Sequence, residues 1–134
     1  MKGHARHLMT DKVVSVGAET PLGAIGRLLV SSGFGGLPVV DDDQRVIGFV
    51  SHDDLLAALL RGVPEATFAR EVMSHPPIVV DEFTATNDVL ALLREGGIHH
   101  LPVVRNGRLV GIITPHDVLR YYVEKIMPPP REHA

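Results

Sequence analysis

The chain has no cysteine and no tryptophan, and only 4% of its residues are aromatic. Without cysteine, disulfide frameworks, thiol catalysis and cysteine-ligated zinc are excluded. So few rings leave little from which to build a stacking platform for single-stranded nucleic acid. Positive charge is not in excess either: 13 Lys and Arg stand against 16 Asp and Glu, a net charge of -3. A nucleic-acid polymer is therefore not an expected partner. No apolar run approaches the ~18 residues of a membrane span, and the opening MKGHARHLMT has no apolar signal core. The expectation is a soluble, cytoplasmic protein without membrane contact. What is present is an ordinary globular stock, 45% hydrophobic and 22% charged over 134 residues, enough for one packed core.

The dominant feature is a repeat. GLPVV at 36–40 recurs as HLPVV at 100–104, an offset of 64. The same offset pairs Ala5 and Arg6 with Ala69 and Arg70, Met9 with Met73, Leu28 and Leu29 with Leu92 and Leu93, and Gly33 with Gly97. Beyond LPVV it drops to 63, matching Arg45 to Arg108, Gly48 to Gly111, Ser51 to Thr114 and Asp54 to Asp117. The missing residue falls in the Asp41–Asp43 stretch, a turn, where length changes are tolerated.

Each copy carries the same order of signals. Short β-branched runs at 13–16 and 78–80 read as strands. Thr20, followed by Pro21, and Thr84 read as N-caps of helices whose apolar residues recur at helical spacing. Gly33 and Gly97 stand just past the helix ends, where glycine supplies a left-handed cap. Hairpins follow at 37–50 and 101–113, the second across Asn106-Gly107. Last helices begin after Ser51 and Thr114, at 53–61 and 115–125. The expected fold is α/β (α+β): two tandem β-α-β-β-α repeats, each led by a short helical approach (6–9 and 68–73), packed about a pseudo-twofold axis. The repeats span 1–66 (core 5–61) and 67–127 (core 69–125), with a Pro-rich tail at 128–134.

The chemistry is concentrated in G-x-x-[S/T]-x-x-D, present once per copy as Gly48 to Asp54 and Gly111 to Asp117. A strand end here feeds a helix N-terminus, whose unpaired N–H groups favour an anion. Ser51 or Thr114 adds a hydroxyl, and Asp54 or Asp117 a carboxylate able to accept two ribose hydroxyls. The same spacing is also a plain capping box. In the second copy His99 and His100 precede the LPVV strand; they read either as solvated loop residues or as donors approaching Thr114 and His116. An anion beside them would raise their pKa and bind more tightly below about pH 7.

The duplicated LPVV, the G-x-x-[S/T]-x-x-D ending and the A-R-x-x-M-[S/T] opening together resemble a cystathionine-beta-synthase (CBS) domain pair, or Bateman module, over about residues 5 to 125. The resemblance implies a non-catalytic regulatory module that senses an adenosyl ligand (AMP, ADP, ATP or S-adenosylmethionine) in clefts between the repeats and signals to an effector protein. No cofactor is required for that role. It maps ribose binding to Asp54 and Asp117, phosphate contacts to Ser51, Thr114, His99 and His100, and the base-lining wall to Val14 and Ile78 on the first strands, with Pro38 and Pro102 nearby. Gly35-Gly36 replaces the His pair in the first copy, so the Thr114/Asp117 site is the one expected to keep a full set. The family commonly forms dimers, and Leu55, Leu56, Leu59, Leu60, Val118, Leu119, Tyr122 and Val123 are candidates for a homodimer interface.

Three other readings stand beside this one. Ser51-His52-Asp53 has triad residue types, but adjacent side chains cannot form a nucleophile–base–orienter line, and no catalytic motif is present. His99, His100 and His116 contain metal-ligand types, which would make a metal-binding module. A ligand-free dimeric scaffold is the third.

Overall fold

A computed structural model describes residues 2–131. Of the expected tail, residues 132–134 lie outside the described residues. The elements run α1 (Ala5–Leu8), β1 (Val16–Gly17), α2 (Leu22–Ser32), β2 (Gly36–Val40), β3 (Val46–Ser51) and α3 (His52–Leu60). After a 3-10 turn (Ala69–Glu71) come β4 (Val80–Asp81), α4 (Thr86–Glu95), β5 (Leu101–Arg105), β6 (Arg108–Ile113) and α5 (Pro115–Tyr121), which runs into a π-helical turn (Tyr122–Ile126). The repeated β-α-β-β-α order is observed in both copies.

Each copy forms a three-stranded sheet, β1-β2-β3 and β4-β5-β6. The first pair in each sheet is parallel, joined by the crossover helix that parallel strands require, and the second is an antiparallel hairpin. Both hairpins carry a bulge at the matching place, Val39/Val40 and Val103/Val104. In the first sheet Val16, Leu37, Val39 and Val50 pack on Leu22, Ile25 and Leu29 of α2 and Leu55 and Ala58 of α3. In the second, Val80, Leu101, Val103 and Ile113 pack with Val89. Burying each such aliphatic side chain contributes roughly 1.5–3 kcal/mol.

The lead-in segments are exchanged. Ala5 and Leu8 belong to the second repeat's core, with Met9 packed against it. Ala69, with Val72 and Met73, belongs to the first repeat's core. Thr10 and Ile112 donate to each other's carbonyls at 2.9 and 3.0 Å, and Phe49 and Ser74 do the same at 3.1 and 2.9 Å. Each lead-in thus extends the other repeat's sheet by one bridge beyond its last strand. The closeness of that approach explains one motif glycine: a Cβ on Gly48 or Gly111 would collide with the sulfur of Met73 or Met9. These paired exchanges, with the Arg45–Arg108 bridge between equivalent residues, are the expected pseudo-twofold.

Several local expectations are corrected. The first strands begin later, so Val14 and Ile78 precede β1 and β4. Thr20 does not cap α2: Pro21 holds the N-cap position, and the Thr20 hydroxyl accepts from Gly17 N at 3.1 Å. Ala85, not Thr84, is at the N-cap of α4. A proline or alanine suffices there because backbone groups of the neighbouring lead-ins partner the helix starts: Leu22 N donates to Thr67 O and Thr86 N to Gly3 O. Leu55 is core rather than surface, and Val118 packs against the second core. Leu56, Leu59, Leu60, Leu119, Tyr122 and Val123 are exposed.

Candidate functional site

The hairpin ends that carry Ser51 and Thr114 open into two clefts, one on each side of the join. Both motifs make capping boxes. Asp54 N donates to Ser51 Oγ at 3.0 Å while Asp54 Oδ2 accepts from Ser51 N at 3.3 Å. Asp117 Oδ2 accepts from Thr114 N at 2.8 Å, and Asp117 N donates to Thr114 Oγ1 at 3.4 Å. The capping interpretation of the spacing is therefore correct in both copies, and the question becomes what each carboxylate has left over.

The first cleft, about 330 Å³, gathers Val14, Pro38, His100, Thr114, His116 and Asp117, with Thr10, Lys12, Phe34 and Arg120. Asp117 is 4% exposed. Its Oδ1 accepts from Thr10 Oγ1 at 2.6 Å and Arg120 Nη2 at 2.7 Å; its Oδ2 accepts from Thr114 N and, at 3.0 Å, from Thr114 Oγ1. An ionised carboxylate offers about four lone-pair positions, and here all are taken.

The second cleft, about 450 Å³, gathers Ser51, Asp54, Ile78, His99, His100 and Pro102, with Phe49, His52, Asp53 and His75. Asp54 is half-buried, and among the described residues its Oδ1 accepts no hydrogen bond. The positions that saturate Asp117 differ here. Ser74, equivalent to Thr10, donates to Phe49 O at 3.1 Å instead. Ala57 stands where Arg120 stands in the second copy. Both clefts fall in the volume range of small-molecule sites.

The structure thus regroups the residues named from sequence. Each cleft takes its hydroxyl and carboxylate from one repeat and its apolar wall and proline from the other, Val14 and Pro38 or Ile78 and Pro102. His99 lines the Ser51/Asp54 cleft, not the Thr114/His116 one; His100 reaches both. The expectation that the His pair completes the Thr114/Asp117 site is corrected accordingly. The physical reason is the hairpin join, which lays the loop before β5 beside the end of β3.

Gly35-Gly36 acquires a different meaning from the loss of two donors. A Cβ on Gly35 would stand 2.6 Å from His100 Nε2, and one on Gly36 would run into the Phe49 ring. The glycines make room for His100, which stacks on Phe49 at 5.1 Å between centroids. His52 closes the group, its ring Nδ1 at 2.9 Å from Gly35 O. Burial, with the neighbouring His99 and then His52, pushes the His100 pKa below its ordinary value. The fold therefore disfavours the protonated ring.

Sequence reasoning missed Thr10, Lys12, Phe49, His52, His75 and Arg120. Thr10 and Ser74 were visible as the last residue of A-R-x-x-M-[S/T], but their placement depends on the exchange of lead-ins. Among the described residues no three His, Asp or Glu side chains are placed to hold a metal ion. His99 and His116 are divided between the clefts. No helix of the described residues is long and apolar enough to cross a membrane.

Two interleaved βαββα repeats with a ligand-sized cleft on each side of their join define a tandem-repeat module rather than a single-site domain. The family model for the CBS domain matches residues 5–61 and again 69–124, and the chain belongs to the CBS domain family. It is 30% identical over 122 residues to Hypoxic response protein 1 of Mycobacterium tuberculosis, covering 90% of this chain and 85% of that one. It spans less than half the length of two relatives of uncharacterised role from Methanocaldococcus jannaschii and Methanopyrus kandleri, 41% and 46%. Among solved structures, CBSX2 in complex with AMP superposes with a TM-score of 0.82 at 30% identity, over 91% of this chain and 97% of that one. The cytosolic domain of the Mg2+ channel MgtE in complex with ATP gives 0.77 at 31% identity, over 88% and 48%.

Proposed function

We propose that this protein is a non-catalytic regulatory module that binds an adenine nucleotide, with the Ser51/Asp54 cleft as its principal site. The observation that carries the reading is the Oδ1 of Asp54, unengaged among the described residues, in the lining of a cleft that also holds an apolar wall and several imidazoles. In this reading the ribose hydroxyls donate to Asp54, the base lies against Ile78 and Pro102, and the phosphates face Ser51, His99 and His100. The AMP and ATP complexes of the similar structures support the ligand class. A ligand between the repeats changes their arrangement only by binding one arrangement better, and an effector protein would read that change.

The same reading includes a cytoplasmic homodimer formed through the exposed apolar residues of α3, α5 and the π-helical turn, chiefly Leu56, Leu60, Leu119 and Val123. Titration calorimetry with AMP, ADP, ATP and S-adenosylmethionine tests the ligand assignment. Saturable binding of an adenine nucleotide is expected. Absence of heat and of thermal stabilisation with all four overturns it in favour of a ligand-free scaffold.

A further inference from the structure

The two clefts use one end of the hairpins; the opposite end holds a different chemistry. The strands between them are five to six residues long, which sets the two ends roughly 15 Å apart. In the β5–β6 register Arg108 stands opposite Arg105, and in the bridge between the repeats it stands opposite Arg45. Leu109 N donates to Gln44 O at 3.0 Å, so the approach is held by backbone. Three arginines, Arg105 on β5, Arg108 on β6 and Arg45 just before β3, therefore form a row across the pseudo-twofold. With Asn106 and Val110 they line an open groove of about 460 Å³.

Among the described residues only one of the three charges in that row is balanced. Arg105 is accounted for: its Nε lies 2.9 and 3.0 Å from the two oxygens of buried Glu82. Arg45 and Arg108 are exposed, and among the described residues neither has an ion pair. The acidic turn beside Arg45 does not supply one: Asp41 Oδ1 accepts from the N–H groups of Asp43 and Arg45, and among the described residues none of Asp41, Asp42 and Asp43 forms an ion pair. Like charges facing each other across a strand pair are destabilising. Two arginines without an ion pair, bridged through their backbones and lining one groove in a chain of net charge -3, carry the charge and the fork-shaped donors that fit a phosphoryl dianion.

We propose that the groove between Arg45 and Arg108 is a phosphoryl-binding site, separate from the two clefts, for a small phosphate compound. The two arginines grip the dianion from opposite repeats, and the Asn106 side chain, in the same groove, offers a further donor. Because its ligands come from both copies, occupancy would also fasten the hairpin turns to each other.

The test uses the whole chain with inorganic phosphate and pyrophosphate, titrated at ionic strength matched with chloride. Binding by the wild type should be saturable, and the double variant R45Q/R108Q should bind at least tenfold more weakly. Its affinity for AMP should stay within twofold of the wild type, whatever that affinity is. A second measurement is independent of any ligand: in phosphate-free, low-salt buffer the double variant should melt at or above the wild-type temperature, since a repulsion has been removed. Equal phosphate affinity in both proteins, or heats no different from chloride, overturns the proposal. So does a lower melting temperature of the variant without phosphate, which would assign the arginines a purely structural role.

Discussion

The two clefts are built from equivalent residues and are not equivalent. Both have a capping box, an apolar wall, a proline and access to His100. They differ at two positions around the carboxylate. In one, Thr10 and Arg120 complete the shell of Asp117; in the other, Ser74 turns to a backbone carbonyl and Ala57 replaces the arginine, leaving Asp54 with acceptor capacity to spare. A duplicated motif therefore transmits the local helix cap faithfully, while the part of the side chain left for a ligand is decided by neighbours from elsewhere in the chain. Asp117 reads as a structural tie between the first lead-in and α5, Asp54 as a binding group.

The sharpest way to break this comparison is to remove each carboxylate in turn. Asp54→Ala should weaken AMP binding by roughly 30-fold or more, because hydrogen bonds to a charged acceptor contribute about 1.5–3 kcal/mol each. Asp117→Ala should change it by less than about threefold, since that carboxylate is already satisfied within the chain. Calorimetry on both variants decides, and equal losses would erase the distinction between the clefts.

Next in size is the stability of the same variants. Asp117→Ala strips four hydrogen bonds from a buried position and should cost roughly 1–3 kcal/mol in urea unfolding. Asp54→Ala removes only the reciprocal half of a cap and should cost less than about 1 kcal/mol. A reversed order would mean that the Thr10–Asp117–Arg120 contacts contribute little.

Arg120→Ala sharpens the comparison from the other side. Asp117 Oδ1 then keeps only Thr10, and a second, weaker AMP site should appear, moving the stoichiometry from one per chain toward two. A stoichiometry that stays at one would place the obstacle to the first cleft elsewhere.

The smallest effect is in pH. His100 binds a proton less readily in the fold than in the unfolded chain, chiefly through burial and then through His99 and His52. The unfolded state therefore holds more protons, and stability should fall as pH drops below about 6.5 toward the lowered folded value. An anionic ligand favours the protonated ring, so AMP binding should take up a proton and tighten over the same interval. His100→Gln should flatten both slopes; profiles identical to the wild type would show that His100 is not the group responsible.

Much of this molecule is legible in the amino-acid sequence. The offset of 64 and its drop to 63 at an acidic turn described two copies with one element order, and all the major helices and hairpins lie where the periodicity put them. Ser51 and Thr114 are the N-caps that their spacing indicated. Errors gathered at helix starts such as Thr20 and Thr84, where backbone partners from another segment replaced the side-chain cap. They also gathered at Val14 and Ile78, β-branched residues that find no neighbouring strand to pair with.

The residues themselves determined the repeat, the hydrogen-bonded turns and the identity of the groups able to bind an anion, because those depend on chain-local spacing. Tertiary structure alone decided which repeat each lead-in serves, which cleft His99 enters, and which of two matching aspartates is left free. Those outcomes depend on contacts such as Thr10 with Asp117, separated by 107 residues, and on the space that Gly35 leaves for His100. No spacing rule within either copy contains that information, since it arises only when the two copies exchange segments and their hairpins meet.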